Sequence, residues 1–343
     1  MNAGWIAPIK VACLGAGYFS QFHLRSWQRI PEVQLAGVCD TDLEKAKETG
    51  VSAYDRLDAL LETTQPDLLD IIVPPQAHTD AILTALNQGV RWIICQKPFC
   101  QSLSEASAIS DRAKSLGATV IVHENFRFQP WYRRIKSAID EGLVGQPLQM
   151  TFRLRPGDGQ GDGAYLDRQP YFQKMERFLV HETAVHWIDT FRFLFGDPKA
   201  VYADLRRFNP VIAGEDAGMI LFDFEGDIRA AFDGNRLLDH SSDNMRRTMG
   251  EALMEGTTGS IELRGDGSLK HRAFGTSDYQ TLMAPDESDE FGGDCVHALQ
   301  SHVIDGMRGL REIENLADQY LKVIEIEEAI YTSYATGRKI DLV

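Results

Sequence analysis

Residues 181–189 read HETAVHWID, a carboxylate and two histidines within six positions. His181 and Glu182 open like the zinc-protease signature H-E-x-x-H, but the second histidine, His186, comes one position late. On an α-helix, positions four apart differ by about 40° and positions five apart by about 140°. A regular helix would therefore put Glu182 and His186 on one face and separate the two histidines, so a zinc site of that type is rejected and no metal is expected. What remains is a carboxylate one turn before an imidazole. Such a pair can orient a general base or hold a polyol, or it can be an ordinary helix-face hydrogen bond.

Two further groups sit where chemistry is possible. CQKPF (95–99) closes a short apolar run, and its Lys97 is either a positioned ammonium or a solvent-facing strand end. VPPQAH (73–78) closes another, and His78 could serve a ligand or cap the next helix. Nearer the N-terminus, GAGYFS (15–20) follows a strand and opens a helix, the context in which a glycine turn cradles a pyrophosphate. Gly15 would make the turn and Gly17 the close approach, while Ser20 replaces the third glycine with another small residue. Asp40 ends the next strand, 23 residues beyond Gly17. An acid there accepts from an adenosine ribose and repels a 2′-phosphate, so NAD is favoured over NADP.

These residues need a scaffold of alternating strands and helices. The expected strands are Lys10–Leu14, Gln34–Cys39, Leu68–Val73, Trp92–Cys95 and Thr119–His123. The expected helices run to about Ile30 and over Asp42–Thr49, Thr79–Gln88 and Ser104–Leu116. Short buried strands joined by helices imply right-handed crossovers and a parallel sheet covered on both faces. After residue 125 the pattern changes. A helix over Pro130–Glu141 and a strand Leu148–Arg155 precede the glycine-rich stretch 156–165, and a single long helix is expected over Phe178–Leu194. Strand-like runs then follow in series at 200–208, 217–224, 229–235, 251–255 and 260–263, favouring a mostly antiparallel sheet, before helical residues 295–335. The expectation is an α/β domain over 1–125 and an α+β domain over 126–343.

The composition excludes several classes. A charged fraction of 25% and an apolar fraction of 43% are those of a globular protein. A net charge of −15 argues against nucleic acid, where binding is driven by neutralising phosphates. No apolar run reaches membrane-spanning length, and MNAGWIAPIKVACLGAG lacks the layout of an export signal. Five scattered cysteines without a C-x-x-C pair suggest reduced thiols in a cytoplasm.

Taken in order, the glycine turn, P-x-x-x-H (Pro74 to His78), the K-P after a strand, N-x-R (Asn125, Arg127) and the HETAVH segment resemble the Gfo/Idh/MocA oxidoreductases over nearly the whole chain. GEDAGMILFDFEG (214–226) and MEGTTGSIEL (254–263) resemble the family's second-domain strands. The resemblance implies a doubly wound Rossmann domain and a second domain with a large, open, mostly antiparallel sheet, through which members pair into homodimers or homotetramers. It implies NAD bound by Gly15, Gly17, Tyr18, Phe19, Asp40, Pro74, Gln76, His78, Gln96, Lys97 and Asn125. It makes Lys97 and His186 the catalytic pair, with Glu182 beside them. Lys97, Asn125, Arg127, Asp167, Tyr171, Glu182 and His186 would meet substrate, with the loop 156–173 forming one wall. Two departures stand out: the usual E-K-P is Gln96-Lys97-Pro98, and the usual D-x-G-x-H begins with Glu182. The function implied is NAD-dependent oxidation of a small sugar or polyol, with an aldose such as apiose going to its lactone. The alternatives are an NAD-dependent glycoside hydrolase of the same family and a non-catalytic NAD-binding sensor.

Overall fold

The computed structural model describes residues 8–342. Residues 1–7, the start of the segment that lacks the layout of an export signal, lie outside these. In chain order the first half runs β1 (Ile9–Leu14), α1 (Ser20–Arg29), β2 (Val33–Cys39), α2 (Leu43–Glu48), β3 (Ala53–Tyr54), α3 (Leu57–Thr64), β4 (Leu68–Ile71), α4 (His78–Asn87), β5 (Trp92–Cys95), α5 (Leu103–Ser115) and β6 (Thr119–Val122). The second half runs α6 (Pro130–Asp140), β7 (Pro147–Leu154), a π-helical turn Leu179–Ala184, α7 (Val185–Phe195), β8 (Ala200–Arg206), β9 (Ala217–Asp223) and β10 (Arg229–Asn235). It continues through β11 (Gly250–Gly256), β12 (Gly259–Leu263), β13 (Leu269–Ala273), β14 (Tyr279–Met283), α8 (Cys295–Met307), α9 (Ala317–Thr336) and β15 (Ile340–Asp341).

Two compact units result. The first comprises residues 1–125 with 296–324, and the second 126–295 with 325–343. In the first, six parallel strands stand in the order β3-β2-β1-β4-β5-β6. The chain leaves β1 in one direction and returns from β4 in the other, so the crevice at their carboxyl ends is where such a sheet takes ligands. Val11, Ala12, Leu68, Leu69, Ile71, Ile93 and Ile94 are buried, as strands covered on both faces require. Asp70 interrupts that apolar set, and it too is fully buried.

The second unit is built on nine strands in the order β14-β13-β12-β11-β7-β10-β9-β8-β15. Only the central β7–β10 pair is parallel among the described pairings. One face carries Phe152, Phe222 and Phe232, and α7 lies on it. Trp187 stacks on Phe152 with ring centres 4.2 Å apart, and Phe191 meets Phe222 edge-on at 5.6 Å. The opposite face presents the cross-strand row Tyr202, Leu221, Ala231, Thr151 and Leu253, bordered by Asp204, Met219, Asp233, Arg153 and Glu251.

The fold class expected from the sequence is the one observed, a parallel Rossmann sheet followed by a mostly antiparallel one. Several elements escaped the sequence reading. β3 and β15 have two residues each, too few to show a period, and α3, LDALLETT, follows β3 without a turn signal. β13 and β14 form a hairpin with no clear apolar alternation, β13 half-buried and β14 largely exposed. The helix expected over 178–194 is π-helical over its first six residues, which alters the angle count above. A π-turn winds more slowly, with i→i+5 bonding, so the α-helical separation of positions 181 and 186 does not apply across it.

A close backbone approach fixes the head of the crevice. Gly15 has φ +110°, and a Cβ there would lie 2.4 Å from the Ile72 carbonyl oxygen. Gly15→Ala should cost about 1–3 kcal/mol from backbone strain alone, with the clash adding to it. A thermal melt should show the loss, and a nucleotide titration should show weakened NAD binding.

Candidate functional site

In the first unit the site residues cluster at strand ends. Ser20 Oγ donates to the Gly17 carbonyl (2.5 Å), closing the turn into α1. A Cβ built on Gly17 meets nothing within 4 Å, so the backbone is open there. The first turn of α1 carries no acidic residue, leaving the helix N-terminus favourable to an anion. Asp40 receives the Ala16 N–H on Oδ2 (2.8 Å) and the Asp42 N–H on Oδ1 (2.9 Å), so one carboxylate ties the end of β2 to the glycine turn. Tyr18 is 41% exposed, and Pro74 and Gln76 are exposed beyond β4.

His78 is buried at the start of α4, its Nε2 2.8 Å from the Val73 carbonyl, so its ring ties down the proline loop. Burial holds its pKa below the ordinary 6.5. A histidine depressed on folding stabilises the protein above the unfolded value, and that contribution is lost as pH falls from about 6.5 through the lower native value. His78→Gln should therefore flatten the acid side of the stability curve in that window, measured as urea midpoint against pH.

Lys97 is half-buried at the end of β5, and Asn125 is buried, with no hydrogen-bond partner for its Nδ2 among the described residues. Beside Lys97, the Gln96 amide turns inward to His23 and His123, and His23 Nδ1 lies 2.7 Å from Asp70 Oδ2. The indole of Trp27 also donates to Asp70 Oδ2 (2.7 Å), as does the Gln300 amide (3.3 Å).

In the second unit the π-turn holds Glu182 half-buried and leads into His186, which is 8% exposed. Phe126 fixes the imidazole plane: the two rings are parallel within 6° at a centre distance of 3.8 Å. The turn is anchored at its head by Glu215, whose Oε1 accepts from the N–H groups of Phe178 and Val180 (3.1 Å each) and from the Tyr331 hydroxyl (2.7 Å). Its middle is anchored by Arg236, which donates to Thr183 Oγ1 (2.5 Å), to Asp158 and to the Tyr165 hydroxyl (2.8 Å). Arg236 is 3% exposed and also packs over the rings of Tyr165 and Phe178. Since Asp158 and Tyr165 belong to the glycine-rich loop, that loop is bound to the turn. Asn209 adds bonds to the carbonyls of Gly159 and Gly161.

The loop carries Tyr171 to Glu182. Burial of its hydroxyl end and then the Glu182 charge raise the phenol pKa, so it stays a protonated donor at neutral pH. Asp167 is exposed on the same loop. His181 pairs with Glu327 (Nδ1 to Oε1, 2.6 Å). Among the described residues no group of three His, Cys, Asp or Glu side chains is arranged to hold a metal.

Arg127 makes a bidentate pair with Asp189 on α7, Nε to Oδ2 at 2.7 Å and Nη2 to Oδ1 at 2.5 Å. The structure thus gives this residue a partner one helical turn beyond His186. Phe126, Glu215, Arg236, His23, Asp70 and His123 were not singled out from the sequence. Only the four-residue spacing of Phe19, His23 and Trp27 on α1 signalled that a polar ring lay on a buried face. Arg127→Ala leaves Asp189, 1% exposed, without its bidentate partner, and should cost about 3–5 kcal/mol in urea unfolding.

With this geometry in view, the similarities to known proteins are informative. Residues 9–124 match the model of an oxidoreductase family with an NAD-binding Rossmann fold, and residues 132–262 match the GFO/IDH/MocA C-terminal domain. The chain belongs to the Gfo/Idh/MocA oxidoreductase family. It is 30% identical to a D-apiose dehydrogenase of Paraburkholderia graminis over 98% of this chain and 90% of that protein. It is 28% identical to a D-apiose dehydrogenase of Rhizobium rhizogenes over 98% of each. A crystal structure of an oxidoreductase from Agrobacterium radiobacter in complex with NAD+, L-tartaric acid and magnesium superposes with a TM-score of 0.88 at 27% identity, covering 98% of each chain.

The cofactor is NAD. The open backbone at Gly17, the acid-free start of α1 and the Asp40 carboxylate suit a pyrophosphate and a ribose diol.

Proposed function

We propose that this enzyme oxidises a small aldose at its anomeric carbon to the lactone, with D-apiose the first candidate. The observation that carries this reading is the end-to-end similarity to two D-apiose dehydrogenases. NAD supplies the hydride acceptor. The chain must supply a proton acceptor, a group to meet the oxygen as it gains negative charge, and contacts that hold the remaining hydroxyls.

His186 is assigned the proton transfer. Its ring is held flat against Phe126 and almost wholly shielded, so one edge is presented in a fixed orientation. Lys97 is assigned the oxygen, where an ammonium donor stabilises alkoxide character. Glu182 and Tyr171 complement each other as acceptor and donor for sugar hydroxyls, and Asn125 offers a buried amide N–H₂. Arg127 is assigned an indirect role, holding α7 through Asp189. Gly15, Gly17, Tyr18, Phe19, Asp40, Pro74, Gln76, His78 and Gln96 are assigned to the NAD side, His78 through the loop it ties down.

Two further assignments go with this. The row of exposed Tyr202 and half-buried Leu221 and Leu253, beside uncharged Ala231 and Thr151, suits pairing with a second copy into a homodimer or homotetramer. The five free cysteines suit a reducing cytoplasm. Among the described residues no helix is long and apolar enough to cross a membrane.

The test is NADH formation over a panel of aldoses and polyols, with Lys97→Ala and His186→Ala beside wild type. Loss of a general acid–base group typically costs 10²–10⁴-fold, so each variant should fall by about that factor in kcat. Full turnover by either would remove that residue from the reaction. Aryl-glycoside cleavage without net NADH would replace the reading with a hydrolytic one.

A further inference from the structure

Gln96 stands between the cofactor-binding sheet and Lys97, and its side chain is 8% exposed. Its backbone N–H donates to the Ile71 carbonyl (3.0 Å), so the residue is held at the end of β5. The amide Nε2 lies 2.7 Å from His23 Nε2 and 3.2 Å from His123 Nδ1. An amide nitrogen has two hydrogens to give and no lone pair to offer. In this orientation both ring nitrogens therefore accept. His23 must then carry its proton on Nδ1, which faces Asp70 Oδ2 at 2.7 Å, and His123 must carry its proton on Nε2. The imidazoles overlap at a centre distance of 4.1 Å and are 0% and 1% exposed, so protonating both would set two like charges together out of water.

Phe19, just before α1, packs edge-on against the His23 ring with centres 5.6 Å apart. α1 supplies Trp27, β4 supplies Asp70, and β5 supplies Cys95 ahead of Gln96 and Lys97 beyond it. Glu124 follows His123 and meets Tyr320 of α9, and Gln300 of α8 reaches Asp70. Cys95 is a poor proton donor or acceptor near neutrality, because burial pushes its thiol well up.

We propose that Gln96 is a positioning residue for Lys97, acting as a tautomer lock that holds His23 and His123 neutral in opposite tautomers. The segment carrying Lys97 is thereby tied to α1 and to the end of β6 by a fixed set of protons that does not change near neutral pH. A carboxylate at position 96 could only accept. Both imidazoles would have to turn N–H groups toward it, and His23, already donating to Asp70, would need a second proton. The amide thus removes an ionisation from behind Lys97 that an acid would introduce. The part of this inference that concerns Lys97 rests on the dehydrogenase reading above; the tautomers do not.

The test uses the full chain labelled with ¹⁵N-histidine, without nucleotide, in two-bond ¹H–¹⁵N correlation spectra from pH 6 to 8.5. The two residues are assigned with His23→Gln and His123→Gln. Expected is an Nδ1–H tautomer for His23 and an Nε2–H tautomer for His123, both unchanged across the range. An imidazolium at either position, or a titration within the range, overturns the lock. In Gln96→Glu one imidazolium should appear at pH 7, and the acidic limb of kcat/KM should move by about 1 pH unit. Unaltered tautomers in that variant also overturn the proposal, and a new imidazolium with an unmoved activity profile overturns the role toward Lys97. If Gln96→Glu does not fold, the wild-type spectra decide. A wild type inactive on every sugar overturns the dehydrogenase reading and leaves the lock to be judged from the spectra.

Discussion

A charge removed from water must be met by opposite charge or hydrogen bonds, and the positions of the site residues follow from how this chain meets four such charges. Arg236, Asp189, Asp70 and Glu215 are all buried at 9% exposure or less. An unpartnered ion at such depth would cost several kcal/mol, so each partner is held as firmly as the charge itself. Arg236 is the plainest case. Its fork takes Asp158, Tyr165 and Thr183 together, and those three residues lie on the glycine-rich loop and the π-turn. The loop is therefore held in place, although its glycine content alone would suggest a loose segment. The Glu182 charge then acts on a Tyr171 phenol whose supporting chain is fixed.

The same constraint sets the register of α7. Asp189 is fastened to Arg127 and Thr190 bonds back to the His186 carbonyl, while Phe126, adjacent to Arg127, covers the imidazole. One short segment, Phe126-Arg127, thus supplies both the ring that orients His186 and the cation that holds its helix. Glu215 does the corresponding work at the head of the turn, satisfying two N–H groups that a helix start leaves open. A π-turn requires such support, because its hydrogen bonds are poorer than those of an α-helix.

Much of this was legible in the sequence, for a physical reason. The parallel sheet announces itself through short uninterrupted apolar runs, and the glycine turn through a φ that side chains rarely adopt at Gly15. Lys97, Glu182 and His186 stood out as candidates because Lys97 precedes a proline at a strand end and the other two lie one turn apart in a segment that is otherwise largely apolar. The partners were harder. Arg236 lies 78 residues from Asp158, and Glu215 lies 37 from Phe178, so no local period links them. The π-turn was invisible because its sequence has ordinary helical propensity, and the groups that support it, Glu215 and Arg236, are distant in the chain. The short strands β3 and β15 owe their pairing to neighbours rather than to their own two residues.

The two departures from the family motifs now have local physical contexts. At position 96 an amide meets two imidazoles, an arrangement that needs a donor of two protons; a carboxylate there would demand extra protons from its neighbours. At positions 182–184 the chain reads Glu-Thr-Ala, and the Thr183 hydroxyl is the handle by which Arg236 grips the turn. Glycine at 184 would add backbone freedom to a turn already wound loosely, whereas Ala184 and the Arg236 anchor restrain it. Glu182 then projects from a restrained π-turn, where an Asp side chain, one methylene shorter, would present its carboxylate closer to the backbone. The longer acid and the anchored turn are therefore best understood as one adaptation: the anchor fixes where the chain runs, and the extra methylene sets how far the carboxylate reaches from it.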